Sequence, residues 1–414
     1  MGRNVLAIAA IFLCTALAWM ILGSSINART EGSGSDLGPR VASTWGAPQQ
    51  EKPPLAYNER IVQREVVETQ NNVITRKVVD DAVITRLSLQ RSRVQAGLKL
   101  EQRQKGLLWF PTYRVDYRGD YVFRNDTPYE RVTLKLVFPV ADAVYDDLVF
   151  RVDGQPVAVS TVGGAATAIV YRPPGSPIRL EVGYRSQGMT TWHYSFGENV
   201  EQVRDFIMEM RTDFEAIDFP QGTLSPTEKR RNGAGWLLTW KYTNLVTGSK
   251  IGMVMPEKLQ PGPLAGRISY FAPVSLLFFF FLMFIITTMR KIRLHPMHYF
   301  FLATSFFAFH LLLAYLVDHI SIHLAFAICS AVSIFLVVSY LRIVTSARFA
   351  FVEAASAQFV YLVLFSYAFF FKGFTGLAVT IGAIVTLFVV MQMTARIDWA
   401  GQREEELTAS GIGS

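Results

Sequence analysis

Four residues that lie close together in the chain have side chains able to bind a metal ion or pass a proton: His310, Asp318, His319 and His323. Imidazole and carboxylate are common zinc ligands, and imidazole changes charge near neutral pH. His319 and His323 are four apart, which puts them on one face of a helix that starts early enough. A metal site needs three or four convergent ligands, and this spacing promises only two. The competing reading is capping at a turn together with hydrogen bonds between helices, and we favour it. His193 is the one histidine between residues 24 and 269. No G-x-S-x-G elbow, phosphate-binding loop, dinucleotide fingerprint or zinc-binding cysteine pair accompanies it. The expectation is therefore no catalytic residue, no resident metal and no cofactor, in a protein that is not an enzyme.

The elements that would position these residues are apolar runs long enough to cross a bilayer, which takes about 20 residues. The runs are Val5 to Gly23, Tyr270 to Met289, Met297 to Val317, Ile320 to Leu341, Phe349 to Phe371 and Leu377 to Met393. Backbone amides in hydrocarbon must pair within their own segment, so each run is predicted to be a helix. The first run exceeds the apolar core of a signal peptide, and Gly23-Ser24-Ser25 is a weak cleavage site, so an uncleaved anchor is expected. His310 falls inside the third run, Asp318 and His319 in the tight turn after it, and His323 one helical turn into the fourth. Glu353, near one end of the fifth run, is expected to reach Arg348 or Arg342 or to snorkel to the interface. Ala354, Ala355, Ser356 and Ala357 make a small-residue patch suited to close helix packing.

Basic residues in short loops set the orientation. Arg3, then Arg290, Lys291 and Arg293, then Arg342 and Arg348, then Arg396 all fall on one side if the six spans alternate. That side is predicted to be the cytoplasm, with both termini there and residues 24–269 outside it. The net charge of +7 is modest, and the aromatic residues cluster in apolar runs and not among arginines, so nucleic acid is not an expected partner. Lipid is. The two cysteines, Cys14 and Cys329, both lie in apolar runs, so no disulfide framework is expected.

Between the first and second runs the pattern changes. Residues 24–59 are rich in Gly, Ser, Pro and Asn and read as a flexible linker. The tetrad Val-Ile-Thr-Arg occurs at Val73–Arg76 and again at Val83–Arg86, in a stretch from Tyr57 to Gln104 that fits neither helix nor strand cleanly. From Leu107 the signal is β. Alternating segments at Tyr113–Tyr117, Tyr121–Phe123, Val132–Phe138, Leu148–Val152, Ile178–Val182, Trp236–Tyr242 and Ile251–Met255 are broken by turn residues such as Asp153-Gly154, Gly163-Gly164 and Pro173-Pro-Gly175. The predicted fold is mixed: an all-β, sandwich-like domain of antiparallel strands plus six transmembrane helices, one N-terminal and five C-terminal. The expected division is an anchor over 1–23, a linker over 24–59, a β-rich domain over 60–269, a five-helix bundle over 270–400 and a polar tail over 401–414.

The C-terminal half resembles the CreD family of bacterial inner-membrane proteins. The resemblance rests on Leu294-His295-Pro296 with Tyr299 at the start of the third span, Asp318-His319-Ile320 between the third and fourth, and Arg396-Ile397-Asp398-Trp399 after the last. The chain departs from the family where Lys372-Gly-Phe-Thr-Gly376 replaces an acidic segment between the last two spans, and its soluble domain matches poorly. The motifs also make sense as structural punctuation: proline is tolerated in a first helical turn and tryptophan anchors well at an interface. The resemblance implies a bacterial inner-membrane protein with a large periplasmic domain, linked to cell-envelope integrity and stress response, and no known reaction. The expectation is a non-enzymatic protein whose β-domain binds a periplasmic or membrane partner or an envelope component. The alternatives are a transporter or metal-dependent membrane enzyme built on the His/Asp group, and a stimulus sensor working through a separate signalling partner.

Overall fold

The computed structural model describes residues 2–70, 73–105, 108–197, 201–371 and 373–395. The chain forms two compact units, one of residues 1–35 with 259–414 and one of residues 36–258. These limits differ from the expected divisions after residues 59 and 269, because helix continues through the region read as a linker and resumes before Tyr270.

Among the described residues, six helices are long and apolar enough to cross a membrane. Helix α1 (Gly2–Trp45) is followed much later by α2 (Pro261–Met289), α3 (Pro296–Leu316) and α4 (Ile322–Val344). A fifth span covers Phe349–Phe370 and a sixth Thr375–Thr394. The expected linker is thus corrected: residues 24–45 are helical, and strands begin at Gln49. Three of the polar residues in that stretch, Ser24, Asn27 and Thr30, lie against α2. A side chain at Gly262 or Gly266 of α2 would overlap Thr30 or Asn27 of α1, so those glycines let the two backbones approach closely. Ser24 and Tyr270 share a 2.8 Å hydrogen bond at the same seam. Proline sets the starts of α2 and α3, as its missing amide allows. The fifth span is not a uniform helix: two wide π-turn stretches, Phe349–Ala354 and Phe359–Leu364, flank a short α-helical piece at Ala355–Gln358.

The second unit is β-rich. An eight-stranded sheet has the order β14 (Glu228–Asn232), β15 (Gly235–Thr247), β13 (Glu201–Thr212), β4 (Ser88–Lys105), β5 (Leu108–Arg124), β11 (Pro177–Met189), β7 (Tyr145–Val152) and β8 (Gln155–Pro156). A five-stranded sheet runs β3 (Val73–Arg86), β2 (Leu55–Gln70), β6 (Arg131–Val137), β10 (Ala165–Tyr171) and β9 (Ser160–Val162). A three-stranded sheet sets β12 (Thr191–Ser195) between β1 (Gln49–Glu51) and β16 (Lys250–Val254). One apolar core draws on all three sheets, through residues such as Leu134, Val182, Trp192, Met208 and Trp240.

The expected antiparallel pairing needs one correction, since β1 pairs with β12 and β13 with β4 in parallel. The undecided stretch from Tyr57 to Gln104 is strand throughout most of its length, in β2, β3 and β4. Period-2 reading failed there because β2 and β3 pair with each other for most of their length, and their described outer parts are largely exposed on both faces. The turn cues hold: Asp153 and Gly154 both take positive φ in the β7–β8 hairpin, which glycine and aspartate tolerate best.

Candidate functional site

Strand β5 carries tyrosines at 113, 117 and 121, all on one face because their spacing is even. Antiparallel β11 sets Tyr184 opposite Tyr117, and β12 supplies Tyr194. All five rings are buried. The hydroxyls of Tyr117 and Tyr121 lie 2.5 Å apart, and Tyr121 and Tyr194 lie 3.4 Å apart. The rings need space that only glycine leaves: a Cβ at Gly119 would overlap the Tyr121 ring, and one at Gly188 would overlap Tyr113.

Strand β1 closes this nest. Its register against Trp192, His193 and Tyr194 turns Gln49 and Glu51 inward and Gln50 outward, where Gln50 accepts from Lys250 at 2.7 Å. Gln49 is anchored by donating to Ser186 and to the Gln187 carbonyl, at 2.9 and 2.8 Å. Glu51 is fully buried, and neither carboxyl oxygen has a hydrogen-bond partner. Burial pushes its pKa up from 4.5 to about 8; the facing Tyr184 phenol opposes the shift but sits outside hydrogen-bond geometry. No cationic side chain among the described residues acts on it. The nest therefore holds Glu51 as a neutral acid at pH 7. Burial and the nearby acid also raise the phenols of Tyr113, Tyr117, Tyr121, Tyr184 and Tyr194, so none is a ready base. His193 lies beside Lys250, and partial burial with that charge lowers its pKa.

Beside the nest a cavity of about 450 Å³ opens between residues of β2, β3, β4, β5, β6, β12 and β13. Tyr194 belongs to both, with its hydroxyl drawn toward Tyr121 and its ring in edge contact with Phe196 at 5.7 Å. Phe196 and Phe206 pack at 4.9 Å and continue the wall, with Phe123 and Leu87. The mouth carries Lys52, Arg86, Arg204 and Glu201. This volume and apolar lining suit a small ligand.

In the membrane unit the residues singled out from sequence take separate positions. His310 is buried: Nδ1 bonds the Phe306 carbonyl at 2.9 Å, the ring meets Trp19 edge-on at 5.6 Å, and Nε2 has no partner. Asp318 pairs with Arg29 of α1 at 3.3 Å. His323 lies against the Phe370 ring, and His319 is exposed. No three metal-binding side chains come together among the described residues. Leu294 packs on the core, His295 caps α3 by accepting from the Met297 amide at 3.2 Å, Pro296 starts the helix, and Tyr299 is buried against Phe280. Lys372, Arg396, Asp398 and Trp399 lie outside the described residues. Glu353 corrects its expectation: it pairs with Arg290 at the end of α2 and not with Arg342 or Arg348. Sequence reading missed Gln358, fully buried between the two π stretches, which donates to Ser333 at 2.8 Å.

Residues 247–400 match the family model described as inner membrane protein CreD, so the resemblance read from the motifs is supported over the membrane half. No curated protein matches the chain. Among solved structures, a putative nutrient binding protein from Legionella pneumophila is 9% identical, with 56% of this chain and 76% of that one covered and a TM-score of 0.32. An M1 zinc metallopeptidase from Deinococcus radiodurans is 12% identical, with a TM-score of 0.29. The match covers 41% of this chain and 42% of the peptidase. Likenesses this partial have no bearing on activity.

Proposed function

We propose that this inner-membrane protein holds its β-domain outside the cytoplasm, with both termini inside, and uses it to bind an envelope component or partner protein, supporting envelope integrity without catalysing a reaction. The single observation that carries the binding role is the aromatic-walled cavity with charged residues at its mouth. The orientation is supported by the basic residues that alternate with the spans. The test places a photo-crosslinking residue at Gln202, on the cavity wall, in intact cells, with Arg118 as a control site. A discrete adduct at Gln202 alone is expected. No adduct, or hydrolysis of an envelope substrate that a point substitution abolishes, would overturn the reading. Cysteines introduced at Asp116 and Arg342 should label from opposite sides of the membrane.

A further inference from the structure

We infer that the β-domain cavity takes a single-chain anionic amphiphile, an alkyl chain ending in a carboxylate or phosphate. This rests on the binding role proposed above and adds the chemistry of the ligand. The walls are the first ground. Phe123, Phe196, Phe206, Leu87 and Val203 line the interior, and Tyr194 presents its ring while its hydroxyl lies 3.4 Å from that of Tyr121. The Ser88 hydroxyl is also occupied, donating to Asp126 and accepting from Gln90 at 2.8 Å. Ser92 and Gln202 are the other uncharged polar side chains on the described lining, so a sugar or peptide seated there would leave most of its polar groups without partners, each a substantial penalty. An alkyl chain makes no such demand.

The mouth is the second ground. Among the described lining residues Arg86 and Arg204 stand with Lys52 and one acid, Glu201. Arg86 and Arg204 are exposed and have no carboxylate at ion-pair distance among the described residues; Arg204 makes only a 3.3 Å bond to Gln202. Most other arginines of this domain that face an acid are paired with it, as in Arg93–Asp205 and Arg172–Asp153. Two guanidinium groups at the rim of an apolar cavity suit an anionic head on an apolar body, since the guanidinium fork matches carboxylate and phosphate oxygens.

The test uses the full chain in zwitterionic lipid nanodiscs, with empty nanodiscs subtracted. Radiolabelled dodecanoate, dodecyl phosphate and dodecanol are titrated into the wild-type chain and into an Arg86→Ala/Arg204→Ala variant. Both substitutions are on exposed residues and should leave the fold intact, which circular dichroism checks. The expected result is saturable binding of one anionic ligand per chain, at least about tenfold tighter than dodecanol and weakened about tenfold in the double variant. Raising the salt concentration should weaken it as well. Comparing the two anions shows whether the head is a carboxylate or a phosphate. Equal binding of dodecanol would overturn the anionic assignment and leave the binding role standing. No saturable binding of any of the three would overturn the amphiphile assignment, and the crosslink at Gln202 would then decide the binding role on its own.

Discussion

Among the described residues, Glu51 is buried and Glu353 partly buried, and the two regions treat them in opposite ways. Glu353, in the membrane unit, faces Arg290 and remains one half of an ion pair. Glu51, in the β-domain, is more deeply buried, faces five tyrosines and no cation among the described residues, and keeps its proton. Both arrangements avoid an isolated buried charge, which is the costly state. They differ in what they respond to. A neutral acid is sensitive to pH, whereas an ion pair is sensitive to loss of its partner.

The widest separation between the two should come from Glu51→Gln. Unfolded, Glu51 releases its proton near 4.5; folded, only near 8. Between those values the unfolded state binds fewer protons, so stability falls as pH rises, and the contribution is complete below 4.5 and gone above about 8. The shift corresponds to a change on the order of 5 kcal/mol. We expect the denaturation midpoint of the β-domain, followed by its intrinsic fluorescence in the full chain, to lose this slope in the glutamine variant. Parallel pH profiles for the two proteins would break the comparison.

Next in size is Arg290→Ala, which strands Glu353. Arg290 is half-exposed and Glu353 only partly buried, so the loss should lie between the roughly 1 kcal/mol of an exposed pair and the roughly 3–5 kcal/mol of a fully buried one. Thermal melting of the detergent-solubilised chain should drop, and adding Glu353→Gln should recover most of the loss. A double variant no better than the single one would show that the pair is not the cause. The smallest effect expected is that of Gly119→Ala, which forces the Tyr121 ring to move at a cost of about 1–3 kcal/mol. Gly97→Ala, on the neighbouring strand, meets only ordinary contacts at 3.7 Å and serves as its control. Equal stability of the two would mean that the tyrosine nest is loosely packed.

The membrane half was legible because hydrocarbon imposes a length on each span, and proline and basic residues mark the ends. Leu294 to Pro296 begins a helix as read, and the six spans are found where the apolar runs lie. Glu353 was legible as a residue in need of a cation, but choosing Arg290 over the nearer Arg342 and Arg348 depended on how α2 meets the fifth span. Most strands from Tyr113 onward were visible through alternation. Glu51 was not, since Gln49-Gln50-Glu51-Lys52 reads as a solvated polar run and its burial depends on a partner strand far away in sequence. One signal was present and passed over: tyrosines at 113, 117 and 121 on a single face of β5 imply a polar interior that something must fill. The four residues around His310 suggested a cluster only because they are near one another in the chain, whereas packing sends Asp318 to Arg29 and His310 to Trp19.

Strand β1 has a consequence for how the chain is made. Gln49 to Glu51 leave the ribosome early, but β12, their partner, follows about 140 residues later. At common synthesis rates that is a wait of roughly 7–30 s. Throughout it Glu51 stays hydrated and ionised, and it must take up a proton as it docks.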